Sequence, residues 1–491
     1  MKDKSLTKSI TFDDFKKEIL NDYKTIVISR ETSLLGRKEV LSGKAKFGIF
    51  GDGKELPQIA MAKAFRRGDH RSGYYRDQTF MLALNEISVQ QIFSALYANT
   101  NLKKEPMSGG RQMGSHFMSN YIDEKGDFID STQKYNSSAD ISPTSGQMPR
   151  LLGLAMASKL YREGSFNSKN FSNNGNEIAW GTIGNASTSE GPFFEVFNAA
   201  GVHQVPMIIS VWDDEYGISV NNSYQTTKSS ISKALHGFKR DKSNKGFEIY
   251  TVDGWDYQSL IQIYEHSSNF CRENHIPILI HVKNLTQPIG HSTSGSHERY
   301  KNKSRLEWEM KYDCNRKMRE WILDNNLSDL SKIEQIEKDC IEFVKSEKKS
   351  AWDDFQKDII VERDSFIKLI KPLVHQYKSK DLAEIANSLL RLKDLGRKDV
   401  MSAARSSLRL ENSSDFFEKI NNWVSDYKKH TQPLYSSHLY NESKNNYKSV
   451  IPVSPEYNDD SKMVDGRLIL RDNFDYLMSK NLNLIFFGED T

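Results

Sequence analysis

Apolar positions at the start of the chain recur every three to four places. Phe12, Phe15, Ile19 and Tyr23 share one face of that repeat, which predicts mostly helix from about residue 10 to 70. From Tyr74 to Pro149 helical stretches alternate with Gly-rich loops. Leu151–Tyr161 reads as a helix, ended by a polar insertion, EGSFNSKNFSNNGN, with the composition of a loop. The period then changes. Unbroken apolar runs at Ile178–Ile183, Met207–Trp212, Ile249–Val252 and Ile278–Val282 predict strands, with a helix at Phe193–Gly201 between the first two. Pro277 precedes the last run, a position that suits a strand start. Strands alternating with helices predict an α/β fold: a parallel sheet with helices on both faces.

After about residue 305 the strand signal stops. Ile333, Ile336, Cys340, Ile341 and Val344 repeat at helical spacing in a charged background, and this amphipathic pattern runs with breaks to about Tyr427. A connector rich in Pro, Ser and Asn follows. At Asp465 a new pattern, DGRLILRDNFDYLMSKNLNLIFFGEDT, predicts a helix leading into a strand at Leu484–Phe487. The expected division is an α/β unit over residues 1–320, a helical connector and linker over 321–463, and the start of a second α/β unit over 464–491. A strand followed by Gly488, Glu489, Asp490 and Thr491 reads as the first step of a domain cut off there.

The chain has 491 residues, enough for two or three domains. A hydrophobic content of 37% supports a packed core beneath a large polar surface. Net charge is +3, from 68 basic and 65 acidic residues, which gives no argument for a nucleic-acid or membrane partner. The strongest apolar runs, such as Val205–Trp212, are too short to span a bilayer, and the first twenty residues lack a signal core. Cys271, Cys314 and Cys340 are odd in number and lack metal-like spacing. A reducing, cytoplasmic setting is expected.

Candidate chemistry sits where the strands end. Ile178–Ile183 runs into the loop GNASTSEG ahead of a helix, an outline suited to holding phosphate with backbone N–H groups. The GKS or GKT of a nucleotide-hydrolysing loop is missing, and so is the GxGxxG of a dinucleotide site. An anion cradle remains, with Asn185 placed to offer oxygen to a cation; an ordinary strand-to-helix turn has the same outline. The next strand ends in DDEYGIS. Adjacent parallel strands put their ends side by side, so Asn185 and Asp214 can meet at one hard cation such as Mg²⁺. A solvated acidic loop is the alternative. After the strand at Ile278–Val282 comes GHSTSGS, in which His291 can donate to phosphate or move a proton near neutral pH, unless the loop is simply polar surface.

Taken together, GNASTSEG, DDEYGIS and GHSTSGS resemble the alpha chain of thiamine-diphosphate-dependent 2-oxo acid dehydrogenases, where the segments read like GDGATSEG, NNxYAIS and GHSTSDD. Upstream, GYYRDQTFMLAL resembles the family's YRD segment, which implies that Tyr75 and Arg76 grip the cofactor. GGRQMGSHF, Gly109 to Phe117, is most similar to branched-chain members. SPTSGQMPRLLGLAMA resembles the loop and helix beneath the aminopyrimidine and implicates Ser142 and Thr144, and VDGWDY from Val252 matches a further segment. The similarity runs from about residue 25 to 320. It implies thiamine diphosphate and Mg²⁺ as cofactors. Gly184, Asn185, Ala186, Ser187, Asp214 and His291 would lie at the diphosphate. Asn185, Asp214 and the Tyr216 carbonyl would hold the metal. His291 would be catalytic, steadying the diphosphate and helping to protonate during acyl transfer.

The sequence departs from that family in several places. The family's metal-binding Asp is Asn185 here and its metal-binding Asn is Asp214, a swap that leaves formal charge unchanged. Ala186 replaces a glycine. A diphosphate-reaching arginine is absent from SVNNSYQTT, with Lys228 as a candidate substitute, and Gly146 replaces a hydroxyl that ligates potassium in some members.

The implied reaction is oxidative decarboxylation of a 2-oxo acid with acyl transfer to a lipoyl group of a partner acyltransferase. Branched-chain substrates are favoured, with Ser142 lining the pocket and Phe47 and Met113 meeting the aliphatic tail. The alternatives are a dehydrogenase for pyruvate, 2-oxoglutarate or acetoin, or a non-catalytic subunit with a degenerate metal site. In this family a beta-chain glutamate activates the aminopyrimidine. The tail from Asp465 resembles the start of that beta chain, and Glu489 falls in its early GED segment. The resemblance therefore implies an alpha–beta fusion, cut before the activating glutamate, that would complete its sites as a dimer of fused chains.

Overall fold

The computed structural model describes residues 11–164, 166, 169–293, 296–410 and 414–488. The four strands expected between residues 178 and 282 form. Together with two shorter ones they make a six-stranded parallel sheet: β1 (His70–Ser72), β2 (Asn136–Ser137), β3 (Ala179–Gly184), β4 (Met207–Trp212), β5 (Glu248–Asp253) and β6 (Ile278–Lys283), in the order β2-β1-β3-β4-β6-β5. β3, β4 and β6 are buried along nearly their whole length, which is why their sequences read as continuous apolar runs. Alternation survives in the packing. Trp180, Ile208, Trp212, Ile278 and Ile280 face one cluster, formed with helices Phe12–Leu41, Glu55–Ala64 and Tyr257–Asn274. Ala179, Ile183, Ile209, Val211 and Leu279 face the other, formed with helices Met148–Arg162 and Gly191–His203. The pairs Gly184–Trp212 and Trp212–Val282 set the carboxyl ends of β3, β4 and β6 level.

Helix does not run unbroken through the first seventy residues. The first helix stops at Leu41, and residues 42–54 form a loop because four glycines interrupt it, Gly43 and Gly53 at φ +80°.

The helical region is less separate from the sheet unit than a boundary at residue 320 suggests. Helix Leu330–Tyr377 changes partners along its length. Ile333, Ile336 and Cys340 join the main core beside Ile19 and Tyr23. Val344 and Ala351 pack with Phe50, Phe93 and Tyr97. Ile359, Phe366 and Ile370 form a further core with Leu382, Val400 and Ile420 from the helices that follow.

Gly466–Lys480 is helical as expected, but residues 484–487 are not a strand. No described strand lies alongside to accept their backbone hydrogen bonds, and an extended run needs such a partner. Phe486 instead sets its ring against Phe474, centroids 5.0 Å apart. Glu489 lies outside the described residues. Among the described residues no helix is long and apolar enough to cross a membrane. All three cysteines are buried and free.

Candidate active site

The segments singled out in the sequence come to one edge of the sheet, because each follows a strand of the same direction. Tyr75 and Arg76 follow β1, Ser142 and Thr144 follow β2, Asn185 follows β3, Asp214 follows β4 and His291 follows β6.

Asn185 is 5% exposed, and its backbone N–H donates to the Trp212 carbonyl at 3.2 Å. Its side-chain Nδ2 is buried without a partner among the described residues. Ala186–Ser189 makes one 3₁₀ turn before helix Gly191–His203. Ala186 has no positive φ, so it replaces a glycine without backbone strain. A Cβ placed on Gly184 would lie 3.6 Å from the Tyr74 hydroxyl, so that ring closes over the strand end. The loop after β2 docks on this turn. Ser145 Oγ donates to the Ser187 carbonyl at 3.2 Å, and Thr144 Oγ1 donates to Glu190 at 3.1 Å. Ser142 pairs with His116 Nε2 at 2.9 Å, near Tyr75, whose ring lies 6.0 Å from His116.

Asp214 carries a partner that sequence reasoning missed. Lys54, 2% exposed, places Nζ 2.9 Å from Asp214 Oδ2, 2.7 Å from Gln287 Oε1 and 3.2 Å from the Thr286 carbonyl. The turn Gly51–Asp52–Gly53 fixes it there. A Cβ on Gly51 would meet the Arg76 carbonyl at 2.3 Å, and one on Gly53 the Thr286 carbonyl at 2.1 Å. Asp52 Oδ2 accepts from Ile289 N–H at 3.0 Å and Gln287 Nε2 at 3.2 Å. Burial alone would raise the Asp214 carboxyl. The Lys54 ammonium, with help from Lys301 and Arg76, instead holds it below the usual carboxylate range. Asp214 Oδ1 accepts from Tyr216 N–H at 3.2 Å. The Tyr216 ring lies 5.1 Å from the Lys301 ammonium and 5.5 Å from the Arg305 guanidinium.

Arg76 bridges two elements. Nη1 donates to the Phe50 carbonyl at 2.6 Å, and Nη2 donates to the His291 carbonyl at 2.8 Å and to His291 Nδ1 at 3.1 Å. A guanidinium only donates, so Nδ1 is the acceptor and the imidazole proton sits on Nε2. Burial, and then the Arg76 charge, push the His291 pKa down to about 4. The imidazole is then neutral near neutral pH, with Nε2–H as its donor.

Three further expectations fall away from this cluster. Lys228 is exposed on its own turn, at φ +61°. Phe47 and Met113 line a cavity of about 660 Å³ with Trp352, Phe355 and Leu392, to which the described residues of the loops after β3, β4 and β6 contribute nothing. Behind the site, in residues the sequence did not flag, Asp77 holds Arg71, Thr182 and Trp212 Nε1, while His281 joins Asp213 at 2.7 Å to Ser232 at 2.8 Å.

A diphosphate fits these donors. An unpaired buried amide on Asn185, the His291 Nε2–H, the buried Arg76 guanidinium and the start of a helix all follow strands of the one parallel sheet. A divalent ion held by Asn185, Asp214 and the Tyr216 carbonyl does not fit as the residues stand. Asp214 Oδ2 is already taken by an ammonium, and its Oδ1 accepts from the Tyr216 N–H.

The fold is an α/β sheet whose candidate residues gather at the carboxyl ends of its parallel strands, the usual place for a ligand in such folds. Residues 23–359 match the family model described as dehydrogenase E1 component, and the chain belongs to that family. It is similar to the alpha subunit of 2-oxoisovalerate dehydrogenase from Bacillus subtilis (strain 168), with 27% identity over 60% of this chain and 79% of that one. It is also similar to the alpha subunit of the pyruvate dehydrogenase E1 component of Rickettsia bellii (strain RML369-C), with 26% identity over 40% of this chain and 55% of that one. Against the mitochondrial 2-oxoisovalerate dehydrogenase subunit alpha 1 of Arabidopsis thaliana the identity is 23%, over 58% and 52%. The chain thus spans only about half the length of the last two. It is an enzyme component of the 2-oxo acid dehydrogenase class, and the family implies thiamine diphosphate as cofactor.

Proposed function

We propose that this chain holds thiamine diphosphate at the ends of β1, β3, β4 and β6 for the oxidative decarboxylation of a branched-chain 2-oxo acid, with transfer of the acyl group to a lipoyl arm of a partner acyltransferase. The observation that carries this reading is the convergence of Asn185, Asp214 with Lys54, and His291 with Arg76 at one sheet edge inside the family-matched span. When bound, the cofactor's thiazolium supplies the nucleophilic carbon and the electron sink. Asn185 Nδ2 and His291 Nε2 donate to diphosphate oxygens, and Arg76 keeps His291 in the tautomer that can do so. Ser187 and Ala186 give the turn that lets backbone N–H groups approach, and Gly184 leaves room beneath Tyr74. Ser142 and His116 form a polar pair beside Tyr75 to receive the substrate's carboxylate. Mg²⁺ is left out of this reading, because Lys54 already sits on Asp214.

In the same proposal, residues 1–320 carry the site, 321–463 brace it, and 464–491 begin a pyrimidine-side unit. The working form is an oligomer of a cytoplasmic complex. Pyruvate is the second reading, because the Rickettsia bellii pyruvate dehydrogenase subunit is 26% identical against 27% for the Bacillus chain, over a shorter stretch. Carbon dioxide release from a panel of 2-oxo acids, on protein purified with its native partners, decides. Release should require thiamine diphosphate and be fastest with the branched acids. Faster release from pyruvate would select the second reading, and no cofactor-dependent release would refute both.

A further inference from the structure

Lys54 is the feature that neither the motifs nor the family match explains. Its ammonium has three N–H donors and three acceptors: Asp214 Oδ2, Gln287 Oε1 and the Thr286 carbonyl. It is buried, at 2% exposure. The Gly51–Gly53 turn behind it has no room for a side chain at either glycine, and Asp52 ties that turn to Gln287 and Ile289. Asp214 is the one carboxylate among the residues expected to hold the metal. A divalent ion bound to it would lie against a buried cation with nowhere to withdraw.

Asn185 has an unpaired buried donor, Nδ2, that an anion would satisfy. The tasks usually left to a metal here are to neutralise a carboxylate and to attract phosphate. The ammonium on Asp214 does the first. Asn185 Nδ2, His291 Nε2 and Arg76 supply the second.

Resting on the functional reading above, we propose that Lys54 is the resident cation of this site and that the chain binds the diphosphate of its cofactor without a divalent metal ion. Calorimetric titration of thiamine diphosphate into the full chain, in excess EDTA and in excess Mg²⁺, tests this directly. The two affinities should agree within about threefold. Manganese resonance spectra in the presence of thiamine diphosphate should show only the free aqueous ion. Lys54→Met should weaken binding in EDTA by about thirtyfold or more, since it strips one partner from a buried charge pair. Should that variant fail to fold, the two wild-type measurements stand alone. Binding that requires Mg²⁺, or one immobilised Mn²⁺ per site, would overturn the inference and leave the cofactor assignment intact. No binding in either buffer would overturn both.

Discussion

At the residue scale the site rests on a buried ion pair and a tight turn. Asp214→Ala leaves the Lys54 ammonium enclosed with only neutral acceptors. Removing one partner of such a pair costs about 3–5 kcal/mol. Urea unfolding should show that loss, and thiamine diphosphate affinity should fall with it; a change under about 1 kcal/mol would mean that the pair is not buried as described. Gly53→Ala combines a residue at φ +80° with a Cβ 2.1 Å from the Thr286 carbonyl. It should cost more than about 2 kcal/mol by the same assay and loosen the loop that carries His291. Asn185, Asp214 and His291 were legible because each follows a strand that the apolar runs announce. Lys54 was not. It lies 160 residues before Asp214, and no local pattern reports a side chain that crosses between elements. The only trace was a lysine set between a Gly-Asp-Gly turn and the apolar stretch ELPQIAMA, where a charge needs a buried partner. The protonation of His291 was illegible for the same reason, since it depends on Arg76 from another strand end.

At the element scale the strands β3, β4 and β6 could be read because burial on both faces removes polar alternation. β1 and β2 could not: three and two residues are too few for a pattern, and β1 carries Arg71, whose charge is met by Asp77 and Asp140. The helix Leu330–Tyr377 was legible as an amphipathic repeat, but its change of partners was not, since spacing shows that a face is apolar and not what covers it. This helix separates two predictions. Phe366 is fully buried, with its ring 4.8 Å from that of Trp423. Phe366→Ala should cost about 3–5 kcal/mol in unfolding experiments. Thiamine diphosphate affinity of the folded protein should stay unchanged, because that cluster shares no residue with the site. Neutralising the exposed Lys349 and Lys419 should move stability by less than about 0.5 kcal/mol and leave turnover per folded site unchanged. A large loss of turnover in folded protein would give the helical region a catalytic part.

At the scale of the whole molecule, the parallel order β2-β1-β3-β4-β6-β5 gathers residues from Lys54 to His291 at one edge, and sequence alone gave the direction of the strands but not this order. The fold also sets a response to acid. Burial, as the largest cause, holds His70, His275 and His291 at about 4, below their ordinary value of about 6.5. In that window the unfolded chain takes up protons that the folded chain refuses, so these groups stabilise the fold above pH 6.5 and lose that contribution as pH falls toward 4. Comparing wild type with His70→Gln isolates one of them. The wild type should lose stability relative to the variant by up to about 1.4 kcal/mol per pH unit across that window, and parallel curves would show that His70 is not held neutral. The central claim is where the cofactor sits. A crystal structure of the chain grown with thiamine diphosphate should place the diphosphate within hydrogen-bond reach of Asn185 Nδ2 and His291 Nε2, with Lys54 still on Asp214. Ligand bound elsewhere, or a site in which Asn185 Nδ2 keeps no partner, would contradict the account.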